Sequence, residues 1–204
     1  MTIAELLHHH GVHVPRYVTV GGRIVFSGVH ATSSGFEHQS LGRVTQIVDH
    51  TFHGGTAESN DQVHSSRKWW DDEESVARHA LAMDQCFPRF SYLPGEGEMG
   101  PCWGGEIDTG RGTFNALVMT RRDQGLPRVA VIGPKLGMHA GRRWVPSPHL
   151  YLNGNLCVAE ESDWNLECHT VAVATGWAAH WLAAYTEWRF TKRWPADGVH
   201  AVAA

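Results

Sequence analysis

Cys157 is the residue best placed to carry chemistry, because it comes just after a tight turn that ends an extended segment. Asn153 and Gly154 form the turn signal, since both residue types accept a positive φ at low cost. A cysteine attacks as its thiolate, and the ordinary pKa of a free thiol is about 8.5. The sequence therefore offers a thiol nucleophile whose reactivity depends on its surroundings.

Acidic residues follow this cysteine closely, at Glu160, Glu161 and Asp163. If they are also near in space, they disfavour the thiolate. Hydrolases that use cysteine need the opposite, a thiol whose pKa is lowered by a neighbouring cation or base. A restrained thiol suits an acyl carrier, which takes its cargo by transthiolation from an already activated thioester. The local charge thus favours transfer over hydrolysis.

The motif is Pro-x-x-Tyr-x-x-Gly-x-Leu-Cys over residues 148–157, followed seven positions later by Trp164. It resembles the active-site segment of ubiquitin-conjugating enzymes, whose pattern is His-Pro-Asn-Ile-Tyr-x-x-Gly-x-Ile-Cys-Leu. It is still more similar to bacterial ubiquitin-conjugating-like proteins of antiphage operons, notably the short type II CBASS kind. Those proteins read His-x-Tyr-x-x-Gly-x-Leu-Cys and continue into a Trp-rich helix. The resemblance is best over residues 145–195 and does not cover the first sixty or so.

The resemblance implies roles for individual residues. Cys157 is the expected thioester-forming residue. His149 stands where ubiquitin-conjugating enzymes have the Asn that stabilises the oxyanion, and a histidine can both donate a hydrogen bond and transfer a proton near neutral pH. The alternative is that His149 only stabilises a turn or is simply exposed. Four further residues are expected to shape the active-site loop: Tyr151, Asn153, Gly154 and Trp164.

The elements that position this loop follow from local patterns. Acidic residues at 71–74 and apolar residues at three-to-four spacing predict an amphipathic helix over residues 69–86. Strand-like runs at 103–108, 113–120 and 128–132 predict an antiparallel meander. Bulky residues at helical spacing predict a second helix over 170–189 whose Trp-rich face is core or, as the functional alternative, a partner surface. We therefore expect an α+β, ubiquitin-conjugating-like fold with an N-terminal helix, a β-meander, an active-site loop and a C-terminal helix.

The first part of the chain has a different character. Two β-like runs at 16–20 and 23–29, joined by Gly21-Gly22, predict a hairpin. Residues 54–66 contain turn-formers and polar residues but almost no apolar ones, which predicts a linker. We place the domain boundary there, giving an N-terminal extension of residues 1–65 and a ubiquitin-conjugating-like catalytic domain of residues 66–204.

Composition excludes several classes of function. The formal net charge of −4, with acidic and basic residues interspersed, gives no footprint for nucleic acid. No apolar run approaches the roughly 20 residues that span a bilayer, and no secretory signal is apparent, so we expect a cytoplasmic protein with no membrane partner. The four cysteines are irregularly spaced and are expected to be free thiols.

No cofactor or metal is expected. His8, His9, His10 and His13 lack a completing ligand of another type. Cys157, Cys168, His169 and His149 match no standard zinc spacing, and the glycines at 104–112 match no nucleotide-binding motif. The chain is therefore expected not to adenylate its own substrate, so that a separate activating step must supply the energy of the thioester.

These expectations combine into an E2-like acyl carrier and transferase of bacterial antiphage defence. The resemblance implies that Cys157 holds the C-terminus of a cyclic-oligonucleotide synthase (CD-NTase) or of a ubiquitin-like protein and passes it to an amine. Two alternatives remain open. One is a thioester or peptide hydrolase with Cys157 as nucleophile and His149 as base. The other is a non-catalytic binding module that uses the tryptophan-lined face.

Overall fold

The computed structural model describes residues 14–52, 54, 57–61, 68–133 and 135–195. Within these residues the α+β class is confirmed, since two α-helices accompany antiparallel sheets. The strands are β1 Tyr17–Thr19, β2 Ile24–Val25, β3 Val29–Thr32, β4 Gly35–His38, β5 Gly42–Gln46, β6 Ser91–Leu93, β7 Cys102–Asp108, β8 Thr113–Met119, β9 Arg128–Ile132, β10 Gly137–Ala140 and β11 Arg143–Pro146, and the helices are α1 Glu73–Cys86 and α2 Val171–Thr191.

The N-terminal strands form a five-stranded antiparallel sheet in the order β2-β1-β5-β4-β3. The turn between β1 and β2 contains Gly22, whose φ of 96° suits glycine. A Cβ at that position would lie 2.6 Å from a methyl of Ile107. Asp108 donates its backbone N–H to the carbonyl of Gly21 at 2.8 Å. The turn therefore docks closely on β7, in the following sheet.

The second sheet is an antiparallel meander in the order β6-β7-β8-β9. The three predicted strands are present within one residue of their expected bounds. Buried positions recur along these strands and face one another across the sheet. Trp103 lies opposite Val118, Val118 lies opposite Val129, and all three side chains are buried. The short edge strand β6 and the hairpin β10–β11 were not predicted, because their side chains are mostly exposed and carry no clear apolar alternation.

Helix α1 begins four residues later than the sequence predicted. Asp72 is its N-cap and accepts a hydrogen bond from the backbone N–H of Ser75 at 3.1 Å, while Glu73 and Glu74 occupy the first turn, where negative charge is favourable. Residues Trp69–Asp71 form a 3₁₀ turn instead. The acidic run was therefore the start signal, and the two tryptophans before it lie outside the α-helix.

Helix α2 is buried on nearly all sides, because it contacts α1, the N-terminal sheet and the meander. Trp177 and Trp181 are 0% exposed and Trp188 is 5% exposed. These side chains form the core, which confirms the core-packing interpretation of the Trp-rich face. The alternative of a tryptophan-lined partner surface is wrong for them, because a partner could not reach them. In the part of the chain that the structure describes, no helix is both long and apolar enough to cross a membrane.

Candidate functional site

The cysteine loop, residues 147–164, is attached to the edge of the meander. Leu156 donates its backbone N–H to the carbonyl of Val129 in β9 at 2.8 Å. Gly154 adopts the positive φ that the sequence predicted, at 90°, and donates to the carbonyl of Tyr151 at 2.9 Å. The backbone N–H of Tyr151 returns to the carbonyl of Asn155 at 2.9 Å, which closes a tight turn. This turn delivers the chain to Cys157 at a fixed position beside the sheet.

The structure brings the backbone carbonyl of His149 to the cysteine and packs its ring against aromatic side chains. The carbonyl of His149 accepts the N–H of Cys157 at 3.0 Å and the indole N–H of Trp181 at 2.9 Å. Its ring is buried against aromatic side chains, with centroids 5.8 Å from Phe52 and 4.9 Å from Trp194. Its φ of 55° is unusual for a residue other than glycine. His149 thus holds the loop on α2 through its carbonyl.

The thiol of Cys157 is fully buried. Burial raises its pKa far above the ordinary range, and the negative charges of Glu58 and Glu160 raise the pKa further. The phenol of Tyr151 is half-buried, and its pKa is also raised, first by burial and then by its proximity to Cys157. Of the three acidic residues predicted to restrain the thiol, Glu160 is the one that raises this pKa, and the other contributor, Glu58, lies about a hundred residues away in sequence.

Residues 57–61, here called the strap, lie against the cysteine loop. The carboxylate of Glu58 accepts hydrogen bonds from the side-chain amides of Asn153 at 2.7 Å and Asn155 at 2.8 Å. Its other close partner is Arg128 in β9, whose Nε lies 3.5 Å away. Arg128 also donates to the carboxylate of Asp61 at 2.6 Å. Within the segment predicted as a linker, Glu58 and Asp61 are thus both held to the site, while a domain boundary near residue 65 stays a prediction.

Arg121 anchors the middle of the strap and is only 5% exposed. Its guanidinium donates to the hydroxyl of Ser59 at 2.7 Å and to the carbonyl of Asn60 at 3.2 Å. It also donates to Asp123 at 2.6 and 2.9 Å and to Glu161 at 2.9 Å. Because Glu161 belongs to the cysteine loop, one buried cation joins the strap, the end of β8 and the loop.

Trp164 fixes the far end of the cysteine loop. Its indole N–H donates to the carbonyl of Gln124 at 2.8 Å, and its ring contacts His169 and Trp177 at centroid distances of 5.5 and 6.2 Å. Asp163, one residue earlier, accepts the backbone N–H of Thr51 at 2.8 Å. Trp164 therefore shapes the loop from outside the immediate surroundings of the thiol.

Metal ligation has no support among the described residues, where no three His, Cys, Asp or Glu side chains are placed to share an ion. The four cysteines are free thiols, Cys168 being exposed and Cys157 buried. The histidines at 8–10 and 13 lie outside the described residues.

A histidine pair lies next to the aromatic side chains that surround His149. His50 and His180 approach at 3.1 Å between ring nitrogens, and burial lowers the pKa of His50 to about 4 and that of His180 well below its ordinary value. Both rings therefore stay neutral in the folded chain, whereas in the unfolded chain they titrate near pH 6.5.

We expect the free energy of unfolding to be highest above pH 6.5 and to fall as the pH drops from 6.5 towards 4, because only the unfolded state takes up the protons. At pH 5.5 the loss from His50 should be about 1 kcal/mol. Urea unfolding at pH 7.5 and 5.5 measures it. His50→Gln should reduce the dependence. An unchanged dependence in His50→Gln would contradict this assignment.

Sequence reasoning missed three residues of the site: Glu58, Arg121 and Arg128. All three are charged residues in segments that were predicted as linker, strand end or strand. One signal was available, namely a carboxylate in an otherwise uncharged polar segment at 54–60, but nothing in the sequence pairs it with an arginine sixty or more residues away.

Comparison with known proteins agrees with the motif. A family model described as type II CBASS E2 protein matches residues 79–201, which is more than half of the chain and includes the whole cysteine loop. No curated protein and no solved structure matches the chain significantly. Glu58 and the N-terminal sheet lie outside the matched region. The chain belongs to the type II CBASS E2 family, and so to the E2-like proteins of antiphage defence.

Proposed function

We propose that the chain is an acyl carrier that forms a thioester at Cys157 and passes its cargo to an amine. The observation that carries the proposal is the thiol itself, which a loop within the matched region holds beside the meander and whose pKa is raised by burial and by Glu58 and Glu160. Such a thiol is a poor spontaneous nucleophile, and its raised pKa also makes it a slow leaving group, so both loading and discharge require an enzyme complex that relieves the burial and the charge of Glu58.

The cargo that fits a CBASS protein best is the C-terminus of the CD-NTase of the same operon, and the C-terminus of a ubiquitin-like protein is the second candidate. Loading is a transthiolation. The thiol of Cys157 loses its proton, its sulfur attacks the activated acyl group, and the carrier thiol of a separate activating enzyme leaves and takes up a proton. The acceptor amine is a lysine or a similar group, and the reaction belongs in the cytoplasm.

The order of the elements supports a ubiquitin-conjugating-like fold. Helix α1, the meander β6–β9, the cysteine loop and α2 follow one another along the chain as that fold requires. Residues 66–204 would then form the catalytic domain, and residues 1–65 an extension that adds the five-stranded sheet and the strap. Hydrolysis by Cys157 and His149 is less well supported, because the thiol pKa is raised and the imidazole ring contacts Phe52 and Trp194.

The proposal predicts a covalent adduct when the chain is produced together with the other proteins of its operon. Intact-mass spectrometry should show a wild-type adduct that dithiothreitol removes. Cys157→Ser should form an oxyester that resists dithiothreitol, and Cys157→Lys an amide. The matched control is Cys168→Ser, which changes an exposed thiol eleven residues away and should leave the adduct intact. The absence of any adduct on Cys157 in that setting would refute the proposed function.

A further inference from the structure

We propose that the side-chain amides of Asn153 and Asn155 form the oxyanion-binding pair of Cys157, and that the carboxylate of Glu58 occupies this pair in the unloaded protein. The inference rests on the proposed function and adds to it the donors for the transfer step. It also assigns to the strap the role of an internal occupant, which the acyl group must displace.

The two amides converge on a single oxygen. Nδ2 of Asn153 and Nδ2 of Asn155 lie 2.7 and 2.8 Å from the same carboxylate oxygen, Oε2 of Glu58. The orientation of Asn153 is fixed independently, because its Oδ1 accepts the backbone N–H of Asn155 at 3.1 Å and its amide nitrogen therefore faces Glu58. Two N–H donors at 2.7–3.1 Å from one negatively charged oxygen are the arrangement that stabilises an oxyanion in acyl transfer.

The pair adjoins the reacting residue along the chain. Asn155 precedes Cys157 by two residues, and its carbonyl closes the tight turn by accepting the N–H of Tyr151. Glu58, which occupies the amide pair, is also one of the negative charges that raise the pKa of the Cys157 thiol. Arg128 adds a positive charge 3.5 Å from the same Glu58 oxygen. An oxyanion in the place of that oxygen would meet two donors and one cation.

His149 is the residue that the sequence predicted to stabilise the oxyanion. The ring of His149 is 4% exposed and lies against Phe52 and Trp194. Its contact with Cys157 runs through the backbone, where its carbonyl accepts an N–H. The side-chain amides of the turn are therefore better placed than His149 to donate to a developing negative charge.

The transfer step is an attack of the acceptor amine on the Cys157 thioester. The amine nitrogen forms a bond to the carbonyl carbon of the Cys157 thioester, and the carbonyl π electrons move to oxygen, where Asn153 and Asn155 donate to the oxyanion. The oxyanion then re-forms the carbonyl and expels the sulfur of Cys157 as a thiolate. The amine nitrogen gives its surplus proton to solvent, and the thiolate takes one up, which leaves an amide and a free thiol.

The test is a single-turnover discharge of the purified, loaded protein, with free lysine as the acceptor and the loss of the Cys157 adduct followed by intact mass. Asn153→Ala and Asn155→Ala should each slow discharge by roughly 10-fold or more, and the double variant by roughly 100-fold. The matched control is Leu152→Ala, in the same turn, because this side chain is 83% exposed and makes no use of the amides. It should discharge at the wild-type rate.

Glu58→Ala separates catalysis from a merely structural role. If Glu58 only occupies the donor pair, its removal should make discharge faster, opposite in sign to the asparagine variants. If the three side chains only hold the loop together, all three substitutions should slow discharge alike, and the proposal is overturned. It is also overturned if the wild type loads and discharges while the double asparagine variant discharges within twofold of it. A wild type that never loads refutes the proposed function, and the inference falls with it.

Discussion

Replacing Arg121 by methionine should lower the free energy of unfolding by about 3–5 kcal/mol, the usual cost of removing one partner from a buried ionic network. Methionine retains much of the volume of the side chain but removes every hydrogen bond of the guanidinium. Asp123, whose side chain is 11% exposed, would lose the counter-charge of Arg121. Asp61 and Glu161 would each lose a cationic partner. Urea unfolding at pH 7 measures the effect.

The matched control is Arg111→Met. Arg111 also pairs with a carboxylate, that of Glu187, but its side chain is 58% exposed. An exposed pair of this kind contributes about 0–1 kcal/mol. Arg121→Lys should fall between the two, since the ammonium keeps the charge but cannot donate in several directions at once. A loss in Arg121→Met no greater than in Arg111→Met would contradict the anchoring role of Arg121.

Replacing Arg121 by methionine should also loosen the strap. Arg121 donates to the side chain of Ser59 and to the carbonyl of Asn60, and these are contacts that hold the middle of the strap. Without them, Glu58 should spend less time on the amides of the cysteine loop. Limited proteolysis in native buffer should therefore cleave Arg121→Met within residues 57–61 faster than the wild type, in proportion to the opening of the strap.

Elements whose signals are local could be predicted from the sequence. The acidic residues at 71–74 indicated α1, although its start was predicted four residues too early. Strand-like runs predicted β7, β8 and β9, and Asn153-Gly154 predicted the turn before Cys157. Each of these patterns stabilises a conformation within a few residues of itself. The family motif added the proposal that Cys157 is the nucleophile, because local patterns alone do not distinguish a nucleophile from a buried structural thiol.

Features that depend on distant pairing could not be predicted. The strap has no periodicity, and its contacts with Arg121, Arg128 and Asn155 span sixty to a hundred residues. The nearly complete burial of α2 depends on the N-terminal sheet, which covers a side of the helix that the meander leaves open. The direction of the His149 ring follows from a positive φ at a non-glycine residue, for which the sequence gives no signal.

Glu58, whose contact with the cysteine loop escaped prediction, bears on how the Cys157 thiol is restrained. The sequence placed acidic residues only after Cys157, which would raise the thiol pKa through fixed neighbours of the loop itself. The structure adds Glu58, which is bound through hydrogen bonds that can break. The restraint on the thiol is therefore partly removable, which is the property a carrier needs if the same cysteine must be inert alone and reactive in a complex.

Alkylation of the native protein should show this restraint directly. At pH 7 iodoacetamide should modify the exposed Cys168 readily and the buried Cys157 more slowly by on the order of 100-fold or more, because only the accessible thiolate reacts. The rate at Cys157 should keep rising between pH 7 and pH 10 without reaching a plateau, since its pKa is raised. Peptide-resolved mass spectrometry over time gives the two rates separately.

Variants at Glu58 separate the effect of its charge on the alkylation rate of Cys157 from the effect of its hydrogen bonds. Glu58→Gln removes the charge while its amide oxygen can still accept from Asn153 and Asn155, so the rate at Cys157 should rise modestly. Glu58→Ala removes both the charge and the contacts and should raise the rate further. Glu74→Ala, in the exposed first turn of α1, is the control and should change neither cysteine. If Cys157 in the wild type reacts as fast as Cys168 and its rate reaches a plateau below neutral pH, the thiol is activated and the hydrolase is favoured. Only a lowered pKa keeps the thiolate populated below neutral pH.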